Sequence, residues 1–117
     1  MPRSEHTPTF LLFNRAILNH QQVTCFYNGR YRKICPHILG HKGGEETAVV
    51  YQFGGDSAGG LISRDPRRCF NLANVDKAEP RDGRWYSGGN HRSTQSCVDS
   101  VYIDVNTAVP NRPGRRR

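Results

Sequence analysis

The sequence is short of the features that most often announce a function. Its 117 residues include one methionine and one tryptophan, and only 35% are hydrophobic, below the usual globular share. No apolar run approaches the ~20 residues that a membrane-spanning helix needs, which argues against a membrane protein. The opening MPRSEHTPTF is polar and holds two prolines, unlike the charged-then-apolar profile of a secretory leader, so a cytoplasmic chain is expected. The four cysteines, at 25, 35, 69 and 97, form no close pair. In a cytoplasmic setting they are expected to be reduced, serving as small hydrophobes on strands rather than as a disulfide framework.

What is present is basic. Seventeen Lys and Arg against ten Asp and Glu leave a net charge of +7, which favours polyanionic partners, nucleic acid or a nucleotide. Arg112, Arg115, Arg116 and Arg117 supply four of those charges from a Pro/Gly-rich end, where a solvated tail and a phosphate-binding arm read alike. The length allows one domain with a small core. Such a core is marginal alone, so a covering helix or a homodimer is expected to complete it.

Residues 30–55, RYRKICPHILGHKGGEETAVVYQFGG, organise the chain as two strands joined by a Gly-rich turn over 40–46. Pro36 argues for an edge or a bulge in the first strand, over 30–39. The unbroken Ala48-Val49-Val50-Tyr51 argues for burial on both faces of the second, over 47–54. Upstream, Thr9 can cap a helix running to about His20, with Phe10, Phe13, Ile17 and at its margin Leu18 on one face. Residues 23–27 alternate as a strand, and Asn28-Gly29 is a strong hairpin signal because a type I′ turn needs two positive φ values. Residues 54–66 read as a long loop, 67–75 as a fourth strand, 76–96 as polar and irregular, and 98–105 as a fifth strand. The expected fold is mainly β, a small five-stranded barrel with a short N-terminal helix and an irregular C-terminal extension.

The order of features resembles the WYL domain, a bacterial barrel of the Sm-like, SH3-type class. The resemblance rests on Ala16-Ile17 at the helix end, Tyr27, Arg32, Pro36-His37, Leu39-Gly40, an apolar strand after a Gly turn, and Arg68-Cys69-Phe70-Asn71-Leu72. It covers roughly residues 14–80. The name-giving Trp-Tyr-Leu is replaced by Val49-Val50-Tyr51, and a usual Arg-Asp by Ala73-Asn74. The resemblance implies a ligand-sensing or nucleic-acid-binding module, usually joined to a DNA-binding helix-turn-helix for which this chain is too short. The organisation it implies is a disordered lead over 1–8, a WYL-like barrel with its helix over 9–80, an extension ending in a strand over 81–106, and a disordered basic tail over 107–117.

The expected ligand-binding set is Tyr27, Arg30, Arg32, His37, Tyr51, Gln52, Arg67 and Arg68. Cations tracking phosphates beside rings that accept bases are the equipment for single-stranded nucleic acid or a nucleotide. The bland alternative is a solvated strand face. Cys35, His37 and His41, with Cys25 across the hairpin, suggest zinc, but the second close ligand pair is missing, so no metal and no cofactor is expected. The Gly-rich 54–60 lacks the Lys-Ser/Thr of a phosphate loop and reads as a hairpin loop. Cys97, His91 and Asp99 could be assembled into a hydrolase only by choice, and a catalytic role is not expected. Trp85 is expected to anchor the C-terminal segment on the barrel or on a second subunit, with stacking on a base as the sharper alternative. An assembly module pairing through exposed strands is the second functional class.

Overall fold

The computed structural model describes residues 6–55, 67–86 and 98–105. It contains one helix, α1 (Pro8–Asn19), and six strands: β1 (Gln22–Tyr27), β2 (Arg30–Lys42), β3 (Glu45–Gly55), β4 (Arg67–Asn71), β5 (Val75–Arg81) and β6 (Ser100–Asp104). All pairings are antiparallel. The order is β4-β3-β2-β1-β5, with β6 joined to β2. The sheet is therefore open, with β4 and β5 at its ends, and it has six strands where five were expected.

The helix is capped two residues earlier than expected. Thr7, not Thr9, is the N-cap, its side chain accepting from the Phe10 N–H, and Pro8 takes the first turn, where its missing N–H costs nothing. His20 closes the helix in the left-handed region at φ 52°. Phe10, Phe13, Ala16 and Ile17 are the buried face. They complete one core with Val23, Cys25, Ile34, Leu39, Val50 and Phe70 from the strands, so the helix covers the concave side of the sheet as its aromatic stripe predicts.

The sheet bends sharply. Two strands separate β1 from β4, a gap of about 14 Å in a flat sheet. Yet the rings of Tyr27 on β1 and Phe70 on β4 stack at 3.9 Å and 6°, and the Tyr27 hydroxyl accepts from the Asn71 N–H at 3.0 Å. Strand β2 carries the bend. Its early half pairs with β1 up to Ile34 and its late half pairs with β6 from Ile38. Pro36, which has no N–H to give a ladder, falls in the gap between these two neighbours. The bulge expected there is present, as a register shift between Pro36 and Ile38 against β3. The edge position is not, because β2 is central.

Three other expectations change. The turn over 40–46 contracts to Gly43 and Gly44, both at positive φ, because His41 and Lys42 keep pairing with Glu46 and Glu45. The fourth strand stops at Asn71, whose side chain accepts from the Ala73 N–H and starts a 3-10 turn over Leu72–Asn74. The supposedly irregular stretch then contains β5, which pairs with β1 through Pro80 opposite Val23. Its sequence VDKAEPR carries few strand formers. An outer strand with one solvated face needs little apolar alternation, and pairing with β1 overrides its propensity.

Gly40 allows β6 to dock. A Cβ there would overlap the Ser100 carbonyl oxygen and come within 2.7 Å of Val98 Cγ1. Gly40→Ala is expected to cost about 1–2 kcal/mol by overpacking, and hydrogen exchange at residues 100–104 should accelerate while β1–β3 stay protected. Uniform acceleration across the sheet would show that β6 is integral to the global fold.

Candidate functional site

The eight predicted ligand residues fall on two faces of the sheet. On the concave face, cross-strand pairing places Arg30 opposite Tyr27 and Arg32 opposite Cys25. From β3, Gln52 follows Val50 at the two-residue period that keeps both on the core side, and Arg68 on β4 is paired with Val50. On the convex face lie His37, Tyr51 and, opposite Tyr51, Arg67. The Pro36 bulge and strand alternation separate the groups, so His37 is not brought to Arg32.

Arg32 is the centre of the concave group. It is only 6% exposed. Its Nη1 donates to Gln52 Oε1 at 3.0 Å, and its guanidinium carbon lies 5.4 Å from the Tyr27 ring and 5.7 Å from the Phe70 ring. Its buried Nε has no hydrogen-bond partner among the described residues. Burial lowers its pKa from the ordinary arginine value, as do the neighbouring Arg68 and Arg30, while Cys25 and Tyr27 pull the other way. No carboxylate figures among these influences. Arginine keeps its charge at neutral pH all the same. This is a buried cation with neighbours of its own sign and one neutral hydrogen-bond acceptor, an arrangement that costs stability unless an anion compensates it.

Two features of this site escaped sequence reasoning. Phe70 was not among the expected ligand residues, yet its ring flanks Arg32; the signal was its two-residue spacing from Arg68, which places both on one face. Gly55, at φ +87°, lets β3 press against β2: a Cβ there would collide with the Tyr31 carbonyl oxygen and stand 2.8 Å from Arg32 Cα. Tyr27 and Tyr51 were expected as platforms for bases. The Tyr27 ring instead packs on Phe70, and Tyr51 lies beside His37 and Tyr86.

The convex group sits beneath residues 82–86. His37, 1% exposed, meets the Tyr86 carbonyl oxygen through Nε2 at 3.0 Å. A carbonyl only accepts, so Nε2 carries the proton in that bond. The Tyr86 N–H points to Cys35 Sγ at 3.4 Å, and the Tyr86 ring stacks on Phe53 at 4.5 Å. Trp85 is half-buried, stacked on His20 at 5.0 Å and tilted against His37 at 5.3 Å, so it fastens this segment across the outer face.

The residues considered for zinc are dispersed. Cys25 is in the main core, Cys35 and His37 lie under Tyr86, and His41 stands near His6 and Phe10. Among the described residues no three His, Cys, Asp or Glu side chains come together as a metal site. The glycine-rich loop beyond Gly55, His91 and Cys97 of the imagined triad, and the basic tail lie outside the described residues.

The cysteines do not share one state. Cys25 and Cys35 are free and buried, but Cys69, exposed on the end strand β4, is disulfide-bonded. The expectation of reduced thiols throughout is corrected there. It rested on a cytoplasmic setting and on the lack of close pairs in the sequence, whereas a disulfide joins cysteines that the fold brings together. Burial pushes the Cys25 thiol up from 9.0 to about 12, against the pull of Arg32, and the Cys35 thiol up to about 11, against the Tyr86 N–H. The folded state thus holds these protons more tightly than the unfolded chain. Their contribution is complete below the ordinary thiol value and is lost as pH rises from 9.0 through about 11 and about 12. The expected loss is roughly 1.4 kcal/mol per pH unit for each thiol in that window. Urea unfolding between pH 8 and 11 (chosen to bracket its onset) should show a shallower decline in Cys35→Ala; equal slopes would contradict the burial of Cys35.

Compared with protein-family models, with curated proteins and with solved structures, the chain shows no match. Among the described residues no helix is long and apolar enough to cross a membrane.

Proposed function

We propose that this chain is a non-enzymatic binding module for a negatively charged ligand, nucleic acid or a nucleotide, received on the concave face around Arg32. The observation that carries the reading is the buried Arg32 guanidinium, with its Nε unpartnered among the described residues and no carboxylate acting on it. Arg30, Arg68, Gln52 and Tyr27 belong to the same site; His37, Tyr51 and Arg67 lie on the other face, where His37 and Tyr51 pack against Trp85 and Tyr86. A divergent WYL-like ligand sensor on a small Sm/SH3-like barrel is the family and fold to which this reading attaches, through the order of motifs and the strong curvature of the sheet.

Binding of a labelled single-stranded oligonucleotide and of a labelled nucleotide across a salt series tests the proposal. A protein that neutralises phosphates loses affinity by roughly one power of salt for each contact. Loss of binding in Arg32→Met with retention after removal of residues 111–117 supports the concave site. Binding that follows the tail instead assigns it to the terminal arginines, and no binding at low salt removes the proposal.

A second reading, an assembly module or homodimer, is favoured by β6. Val101 and Tyr102 are 55% and 52% exposed on this short outer strand, and aromatic residues of this kind are enriched at interfaces. Sedimentation at high concentration decides it: a monomer counts against self-pairing. The compartment is a separate proposal. A cytoplasmic setting implies reduced thiols, because cytosolic thiols are kept reduced, and the disulfide at Cys69 pulls against it. Alkylation of the chain in rapidly acid-quenched cells, followed by mass measurement, reads the state of Cys69 directly.

A further inference from the structure

The proposed anion site has a shape that selects how a ligand enters. Of the guanidinium nitrogens of Arg32, Nη1 is committed to Gln52 Oε1. That bond fixes the plane of the group and leaves the opposite edge, Nε with Nη2, as the fork that can grip two oxygens of one anion side by side. Nε is buried and has no partner among the described residues, so the fork is set before any ligand arrives. Gln52 is itself 1% exposed, which holds the arginine in place from behind.

The walls exclude a flat ring. Tyr27 and Phe70 stand beside the guanidinium, but they lie on each other at 3.9 Å and 6°. That separation is already van der Waals contact, so no base can slide between them. The Tyr27 hydroxyl is also tied to the Asn71 N–H, which fixes the ring. The concave site thus offers charge and an oxygen-sized fork at its floor, without an aromatic sandwich there. With Arg32 only 6% exposed, a chain running past the site would have to bury a phosphate in its middle together with the sugars on both sides. A group at the end of a molecule has to bury only itself.

The charge also discriminates. Arg68, paired with Val50, and Arg30, opposite Tyr27, are on the same face and act electrostatically on Arg32, so the position carries more than one positive charge. A phosphomonoester brings close to two negative charges and three acceptor oxygens, whereas a carboxylate or a phosphodiester brings one charge.

We propose, resting on the anion-binding reading above, that the Nε–Nη2 edge of Arg32 seats a terminal phosphoryl group presented end-on, with Arg30 and Arg68 as flanking cations and Gln52 as the positioning residue. The ligand is a mononucleotide or a phosphorylated chain end, with the rest of the molecule directed away from the floor of the site.

Four probes separate the possibilities on the full chain. They are adenosine 5′-monophosphate, its methyl ester, a 5′-phosphorylated short oligothymidylate, and the same oligomer with a free 5′-hydroxyl. Calorimetry gives affinities, and the side-chain Nε–H resonance of Arg32 in a 1H–15N spectrum reports contact at the fork. The expected result is at least tenfold tighter binding of each monoester than of its partner lacking a terminal phosphoryl, with a large shift of the Arg32 Nε–H signal. The two monoesters compared with each other tell a free nucleotide from a chain end. Arg32→Met/Gln52→Leu, which removes the fork without leaving either group stranded, should abolish the preference while remaining folded.

Equal affinity of monoester and methyl ester, or of the two oligomers, overturns the end-on proposal while leaving the general anion-binding reading standing. Binding of a monoester with an unmoved Arg32 Nε–H signal overturns it too. No binding by any probe at low salt removes both.

Discussion

Gln52→Leu is expected to destabilise the ligand-free protein by about 3 kcal/mol, the upper end for losing a hydrogen bond to a charged group. The substitution takes from the Arg32 guanidinium its one hydrogen bond to a described residue, in a site where the cation is only 6% exposed. The penalty is that of a stranded charge, so it should vanish when the charge goes as well. Arg32→Met/Gln52→Leu is expected to equal the parent or exceed it by roughly 1–3 kcal/mol, as when buried ionic groups give way to packed apolar ones. Arg32→Met alone should fall between, because it leaves the Gln52 carbonyl oxygen without that donor. Urea unfolding of the four proteins forms a double-mutant cycle, and the proposal requires a coupling energy of at least about 1 kcal/mol. Additive effects would mean that the two side chains do not act as a unit. The same double variant, stabilised and unable to bind, would show that the parent retains an unfavourable charge at a position where only a ligand compensates it.

Some of this was legible in the sequence and some was not. The helix stripe of Phe10, Phe13 and Ile17 and the hairpins around Asn28-Gly29 and 40–46 declared themselves, because period 3.6 and turn chemistry are local properties. Strand β5 did not. Its residues Asp76, Lys77, Glu79 and Pro80 are poor strand formers, and only a β1 edge waiting for a partner makes them a strand. Closure of the sheet was inferred from a count of strands, but the position of each strand in the order is a tertiary fact: β4 and β5 end on opposite sides.

The site divides in the same way. Arg32 and Gln52 were visible as a cation and a polar neighbour on adjacent strands, a local reading of residue type; that both face the core, and that the arginine is buried there, was not legible. That His37 and Tyr51 face away from them depends on the register shift at Pro36. The sequence announced a bulge there without its direction. The Cys69 disulfide was hidden for a related cause: spacing along the chain says nothing about which thiols meet in space.

Phe70→Ala is expected to have the largest single effect, about 3–5 kcal/mol, by the usual cost of emptying a fully buried aromatic position. Phe70 is 1% exposed and belongs to the one cluster that joins α1 to β1–β5. Its ring holds β4 to β1 across two intervening strands through the 3.9 Å stack on Tyr27, so removal opens a cavity and also weakens the curvature that the stack enforces. Phe70→Leu keeps much of the volume but none of the stacking, and it should cost less, about 1–2 kcal/mol, within the range for shape-changing apolar swaps. Both should loosen the wall beside Arg32, so ligand affinity is expected to fall in Phe70→Leu even where the protein remains fully folded. Thermal unfolding and ligand titration on the two variants check the ranking. A Phe70→Leu protein with unchanged affinity would place Phe70 in the core alone and remove it from the site, leaving Tyr27 as the ring that shapes the fork.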